Sequence, residues 1–267
     1  MQHLSPHTVR TDRDHLSFFY DSRSGNLAEI QDFLSSQTIE RLQQSIQDRT
    51  YVVLGGDGLF VAVAKVAHID NAQILGINFG SKGFLLHDRS VFDREVLEFE
   101  QQEYPILHVD VEIGDVHVHG HAFNEFRIER EPTASSLRLS LSHRNKELSS
   151  FAADGVMIST PAGSTWWSLN YGGIPLNHHS GQNLITPFGN RSLHPTIVPD
   201  KGRIRIKNDA TRYNPLYILA DGVPILRDED RAIEIVIDRA ERWVVLLIES
   251  SYRGEWDKKP YRELGFS

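Results

Sequence analysis

Apolar positions along the first hundred residues follow two rhythms. Residues 16–20 form a short continuous apolar run that reads as a strand, and the polar, glycine-containing cluster at 21–26 reads as a turn. Leu27, Ile30 and Leu34 then fall at helical spacing, and Leu42 and Ile46 resume it after Ser35-Ser36. This predicts two short helices or one interrupted helix. Residues 51–54 are a compact apolar run that stops at Gly55-Gly56-Asp57-Gly58, and 59–66 are Ala- and Val-rich, as in a buried helix. Residues 74–77 repeat the strand pattern and run into Gly80 and Gly83. Strand, glycine turn, helix, strand is the order of a parallel sheet with crossover helices.

Near Tyr104 the rhythm changes to strict alternation. Leu107, Val109, Val111 and Ile113 alternate with polar residues, as do Val116 and Val118, then Leu137, Leu139 and Leu141. Ile204/Ile206, Ile233/Ile235/Ile237 and the run 243–248 continue the series. Many short alternating strands predict an antiparallel sandwich. The expected fold class is an α/β N-terminal domain with a parallel sheet, then an all-β sandwich-like domain. The expected boundaries are 1–102 and 103–251, with the mixed aromatic and charged tail 252–267 packing back on the first domain.

Composition narrows the chemistry. The 267 residues contain no cysteine, which excludes disulfides, Cys-ligated zinc, iron–sulfur clusters and thiol catalysis. With 28 Lys+Arg against 36 Asp+Glu, the formal net charge is −8, so neither nucleic acid nor an anionic membrane is an expected partner. No apolar run of about 18 residues suggests a transmembrane helix. Residues 1–6 lack the basic and apolar regions of a signal peptide. The expected location is the cytoplasm.

The sharpest local feature is Gly55-Gly56-Asp57-Gly58 directly after a strand. Successive glycines permit positive φ and close approach of a ligand to the backbone, and a following helix N-terminus favours phosphate. A carboxylate among phosphates is repulsive unless it binds a metal or accepts a proton from an attacking hydroxyl, and both roles belong to phosphoryl transfer. Read alone, the tetrapeptide serves equally as a plain β–α turn in which Asp57 caps a helix. It matches neither the P-loop nor the dinucleotide glycine pattern. Asp154-Gly155 leads through a strand to Thr160-Pro161-Ala162-Gly163-Ser164-Thr165-Trp166-Trp167. Hydroxyls and amides at such a turn suit ribose or phosphate, and an indole suits stacking; a capped helix start with core tryptophans is the plainer reading. Asn124-Glu125 suits gripping vicinal hydroxyls, or simply ends a strand. His117, His119 and His121 share one strand face, the arrangement of a metal site or of a solvated face.

The order of these pieces resembles the NAD kinases across essentially the whole chain. The matching blocks are 55–58, Gly76-Ile77-Asn78-Phe79-Gly80-Ser81-Lys82-Gly83-Phe84-Leu85, Asn124-Glu125, Asp154-Gly155, 160–165, Gly172-Gly173, Thr186-Pro187 and Asp221-Gly222. The resemblance implies transfer of a phosphoryl group from ATP, with Mg²⁺ or another divalent cation, to the 2′-hydroxyl of the adenosine ribose of NAD. It implies Asp57 as the base, Gly55, Gly56 and Gly58 as the phosphate-facing loop, and Asn124, Glu125, Asp154, Thr165, Trp167, Asn170 and Asp221 as dinucleotide-binding residues. A homodimer or homotetramer is also implied. The chain departs from the family pattern at Leu59, usually Thr, at Lys82, usually apolar, at Trp166-Trp167, commonly Ala-Tyr, and at Asn170, commonly Ser. Two other readings stay open: a non-catalytic NAD(P)-binding regulator on the same fold, and a kinase for another hydroxyl.

Overall fold

The apolar runs at 16–20, 51–54 and 74–77 become strands β2 (Leu16–Asp21), β3 (Thr50–Gly55) and β4 (Gln73–Asn78), and two largely polar segments that the sequence pattern does not mark form β1 (Thr8–Arg13) and β5 (Phe99–Tyr104). Between them lie helices α1 (Leu27–Leu34), α2 (Thr38–Ser45) and α3 (Asp57–Asp70). The computed structural model describes residues 4–81, 83–113, 116–209, 215–228, 233–259, 262 and 265. Its chain divides into one unit of Met1–Tyr104 with Trp243–Ser267 and a second of Pro105–Arg242. Ser35 and Ser36 separate α1 from α2, and Ile30, Leu34, Ile39 and Leu42 form their buried side. α3 ends where Asn71 takes the left-handed conformation at φ 52°, which Asn tolerates better than most residues.

The alternating region becomes β6 (Leu107–Ile113), β7 (Val116–Ala122), β8 (Glu125–Arg130), β9 (Leu137–His143), β10 (Lys146–Ala153) and β11 (Gly155–Ser159). A short helix α4 (Trp167–Asn170) follows, then β12 (Gln182–Phe188), β13 (Thr196–Pro199), β14 (Ile204–Asn208), β15 (Leu216–Ala220), β16 (Val223–Asp228) and β17 (Ile233–Arg239). They form two sheets of antiparallel strands, ordered β10-β9-β14-β17-β6-β7 and β13-β12-β11-β8-β15-β16 among the described residues. The core of this unit joins the apolar sides of both. Val109, Val111, Leu139, Leu141, Ile206 and Ile235 come from one sheet, and Phe126, Ile128, Val156, Ile158 and Ile218 from the other. Each such side chain contributes about 1.5–3 kcal/mol by leaving water, which is why alternate positions are so uniformly apolar.

On the second sheet the opposite side is covered too. Met157, Ser159, Leu184 and Thr186 alternate with core residues yet are buried. Segment 160–176 lies against this side, where Ser168 Oγ and Thr186 Oγ1 hydrogen-bond at 2.7 Å.

The last strand, β18 (Val244–Glu249), returns to the first unit. The sequence reading groups residues 243–248 with the antiparallel strands of the second domain. In the structure they insert between β4 and β5, giving the order β1-β2-β3-β4-β18-β5. β2, β3, β4 and β18 run parallel, and the outer strands β1 and β5 pair antiparallel to their neighbours. Val244 and residues 246–249 are buried, as in a strand covered on both sides within a parallel sheet, whereas the neighbouring alternating strands show one face to solvent. The tail continues as a 3₁₀ turn and helix α5 (Arg253–Trp256) in the same unit.

Candidate functional site

In the first unit, β3 ends at Gly55 and α3 begins two residues later at Asp57. No side chain caps the start of α3, so its N-terminus presents backbone N–H groups and the positive end of the helix dipole. The glycines are not there for their backbone angles: Gly56 has φ −118°, and neither Gly55 nor Gly58 falls in the left-handed region. This corrects the expectation of positive φ in the loop. Nor does the interior need Gly56 or Gly58 small, because a Cβ at either would meet no atom within 4 Å, whereas one at Gly55 would stand 3.0 Å from Leu59 Cδ2. What they leave clear is the space over the loop.

The Asp57 side chain is buried and turns inward. Its Oδ2 accepts the Phe84 amide at 2.9 Å and its Oδ1 the Leu85 amide at 3.0 Å. The approach of this segment requires Gly76, where a Cβ would lie 2.9 Å from both the Leu85 carbonyl oxygen and the Phe60 ring. Beside the loop is a cavity of about 490 Å³ lined by Asp21, Arg23, Gly55, Gly56, Leu59 and Phe79, among others. Leu59 thus presents a methyl-bearing side chain to the cavity.

In the second unit, Asn124 and Glu125 are buried where β8 begins. Asp221 fixes them: its carboxylate accepts the amides of Phe123 at 3.0 Å, Asn124 at 2.7 Å and Glu125 at 3.1 Å. Asp221 sits at φ 49° and Gly222 at φ 79°, the left-handed pair that closes a tight hairpin between β15 and β16. From the other side, the Thr160 amide donates to the Asn124 carbonyl at 2.8 Å and its hydroxyl to the Phe123 carbonyl at 2.8 Å. Gly163 lies so close that a Cβ would stand 2.1 Å from the Asn124 carbonyl oxygen. The Ser164 hydroxyl donates to the Pro161 carbonyl and receives the Leu176 amide, locking the turn. The Thr165 hydroxyl donates to the Ala162 carbonyl at 3.0 Å.

The structure therefore brings Asn124, Glu125, Asp221 and the 160–165 turn together. Trp167 and Asn170 stand on α4 just beyond that turn, both exposed. The Trp167 indole has the Arg127 guanidinium over its ring at 5.2 Å, and Arg127 Nε lies 2.7 Å from Glu129 Oε2. Trp166 is 37% exposed rather than buried in a pocket. Asp154 is not with this group. It precedes β11 at the end away from Thr160, roughly 20 Å along the strand at about 3.3 Å per residue, and its Oδ1 accepts from Arg130 Nε at 2.6 Å. His117 lies 3.4 Å from Glu112 and the His121 ring packs on His108; among the described residues no three His, Asp or Glu side chains converge as a metal site. Lys82 lies outside the described residues. Sequence reasoning missed the amides of Phe84 and Leu85 and the place of Arg127, because backbone donors and props beneath an aromatic ring carry no residue signature; it singled out the Thr160 hydroxyl, which the structure turns to the Phe123 carbonyl.

A relative from Trichlorobacter lovleyi named NAD kinase is 32% identical over 217 residues, covering 77% of this chain and 75% of its own. The chain belongs to the NAD kinase family. The family model for the ATP-NAD kinase C-terminal domain matches residues 123–249, which run from the Asn124 turn to the end of β18. An NAD kinase from Flavobacterium psychrophilum is 30% identical over 192 residues, covering 67% of this chain. The match spans 64% of that relative's own length. A solved structure titled as an NAD kinase from Archaeoglobus fulgidus in complex with ATP shares the fold, with a TM-score of 0.67 at 20% identity over 94% of this chain and 96% of its own. The family's fold, an α/β unit with a mixed sheet followed by an antiparallel β unit, is the one seen here.

Proposed function

We propose that this chain phosphorylates the 2′-hydroxyl of the adenosine ribose of NAD, taking the phosphoryl group from ATP to give NADP. The observation that carries the reading is the setting of Asp57. It is a buried carboxylate at the first position of a helix whose N-terminus no side chain caps, beside glycines that leave the loop open. Transfer of a phosphoryl group needs positioning, charge neutralisation and a base for the attacking hydroxyl. The loop amides and helix dipole suit the phosphates. Asp57 is the base: its carboxylate accepts the amides of Phe84 and Leu85, and those amides set its orientation. As the hydroxyl oxygen attacks the terminal phosphorus, the bond from phosphorus to the leaving diphosphate oxygen breaks and the hydroxyl proton passes to Asp57.

The dinucleotide is held by the second unit, with Asn124 and Glu125 gripping ribose hydroxyls and Trp167 stacking on a ring; Thr165 and Asn170 are assigned to the same ligand, and Asp154, paired with Arg130 at the other end of β11, is not. Asp221 acts through the Asn124 turn. A divalent cation, Mg²⁺ in the simplest case, enters as part of the donor, bound to its phosphates in the usual manner of that ion. The chain is placed in the cytoplasm as a homodimer or homotetramer. No described helix is long and apolar enough to cross a membrane.

A coupled assay for NADP from NAD, ATP and Mg²⁺ tests the activity. Well-folded protein that yields no NADP overturns it. Leu59, apolar beside the glycine loop, favours one second reading, a regulator that binds NAD or NADP without turnover; calorimetry showing binding in inactive protein would select it.

A further inference from the structure

The segment that orients Asp57 is itself held by the far end of the chain. Phe84 and Leu85 donate their amides to Asp57, and the next carbonyl, Leu86, accepts from Lys259 Nζ at 2.6 Å. The same ammonium lies 3.0 Å from Asp88 Oδ1 and 5.6 Å from the centre of the Tyr252 ring. Its side chain is 1% exposed. A lysine this deep is costly unless its donors are matched; here a carbonyl, a carboxylate and an aromatic face receive it.

Neighbouring contacts reinforce the attachment. The Tyr252 hydroxyl donates to Asp88 Oδ2 at 2.9 Å. His87, fully buried, bridges two strands: its Nε2 accepts the Glu249 amide at 3.0 Å and its Nδ1 donates to the Gly76 carbonyl at 3.0 Å. Trp256 packs on the His87 ring at 4.9 Å. Residues 84–88 therefore have Asp57 on one side and the C-terminal segment 249–259 on the other, all within the first unit.

From this chain of contacts we infer that Lys259 is a positioning residue for Asp57, acting through the backbone of 84–86. The inference deepens the proposed kinase activity and rests on it for the role of Asp57, but the mechanical link is separately measurable. A buried ammonium that pins the Leu86 carbonyl limits how far the two preceding amides swing, and hence where the Asp57 oxygens sit. Misplacing a reacting group by an ångström costs up to about a hundredfold in rate. Loss of the pin predicts a fall in kcat with little change in the KM for NAD, because the dinucleotide-binding side chains are elsewhere in the chain.

The test uses the full chain with Lys259→Met, Lys259→Arg and Tyr252→Phe. Amide hydrogen exchange is read at Phe84 and Leu85, and kcat and KM are measured alongside. Lys259→Met is expected to speed exchange at those two amides by about tenfold or more, a local loss of protection, while α1 exchanges as in wild type. Its kcat is expected to fall by about ten- to a hundredfold with the KM for NAD within about threefold, and Lys259→Arg to recover part of the loss. Should Lys259→Met fail to fold, Tyr252→Phe, which removes the donor to Asp88 Oδ2 while keeping the ring and the Lys259 pair, is expected to give a smaller change in the same two readouts. Unchanged exchange at Phe84 and Leu85, or faster exchange with unchanged kcat, overturns the inference. If the wild-type protein makes no NADP, the kinase reading fails, and the exchange rates alone then decide whether Lys259 holds the partners of Asp57.

Discussion

Asp221 Oδ1 accepts the backbone amide of Asn124 at 2.7 Å, across 97 positions of sequence. The same carboxylate also takes the amides of Phe123 and Glu125. A charged acceptor serving three backbone donors is a strong local constraint, since each such bond contributes about 1.5–3 kcal/mol. Asp221→Ala is expected to lower the unfolding free energy by about 2–4 kcal/mol, with strain added by a left-handed alanine. Asp221→Asn, which tolerates φ 49° and keeps one acceptor oxygen, is expected to lose less. Denaturant unfolding of both variants checks this; an Ala variant as stable as wild type would show that the Asn124 turn holds itself.

Gly163 abuts the Asn124 carbonyl oxygen, 2.1 Å from where a Cβ would stand. The obstacle is backbone, which cannot rotate away. Gly163→Ala is expected to cost about 1–3 kcal/mol of stability and to raise the KM for NAD by displacing Asn124. A variant with wild-type KM would remove Asn124 from dinucleotide binding.

Asp57→Asn keeps the shape of the side chain but removes the proton acceptor. Its kcat is expected to drop by about 10²–10⁴-fold, with NAD affinity by calorimetry little changed. Turnover equal to wild type would take the base role away from Asp57.

Trp167 is 42% exposed and backed by Arg127, so its removal leaves little cavity. Trp167→Ala is expected to change stability by under about 1 kcal/mol, the scale of an exposed cation–π contact. If the indole stacks on the dinucleotide, affinity falls by about 5- to 150-fold, the range of one base–aromatic stack of about 1–3 kcal/mol. Unaltered affinity in titration calorimetry would exclude the stacking role.

His87 carries a pH dependence. Burial is the main force lowering its pKa from 6.5 to about 4; the Gly76 carbonyl opposes this, the Lys259 charge adds to it, and Asp88 opposes it. The folded state thus binds the proton less readily than the unfolded chain. The stabilisation is complete above about pH 6.5 and is lost as the pH falls through 4. The full span is on the order of 3 kcal/mol, with about 2 kcal/mol already lost near pH 5. Urea unfolding across this range, with His87→Gln flattening the profile, checks the assignment.

Legibility in the sequence followed the range of the interactions. The helical spacing of Leu27, Ile30 and Leu34 and the alternation of Leu107, Val109 and Val111 report burial by near neighbours, and they fold as α1 and β6. The glycine loop announced itself because Gly55, Gly56 and Asp57 are adjacent. The tail strand misled the reading, since Val244 and Leu246 look alike whichever sheet receives them. Asp154 and Thr160 are near in sequence, yet the extended strand between them holds them apart.

By itself the sequence determined the element rhythm, the phosphate-suited loop with Asp57, and the ordered blocks that resemble the NAD kinases. The tertiary structure decided which donors hold each carboxylate. Asp57 meets amides 27 and 28 residues away, Asp221 reaches back 96 to 98, and Lys259 meets the Leu86 carbonyl across 173. Backbone amides are alike in every residue but proline, so no side-chain pattern names them. Only the closing of the sheets brings them to their acceptors.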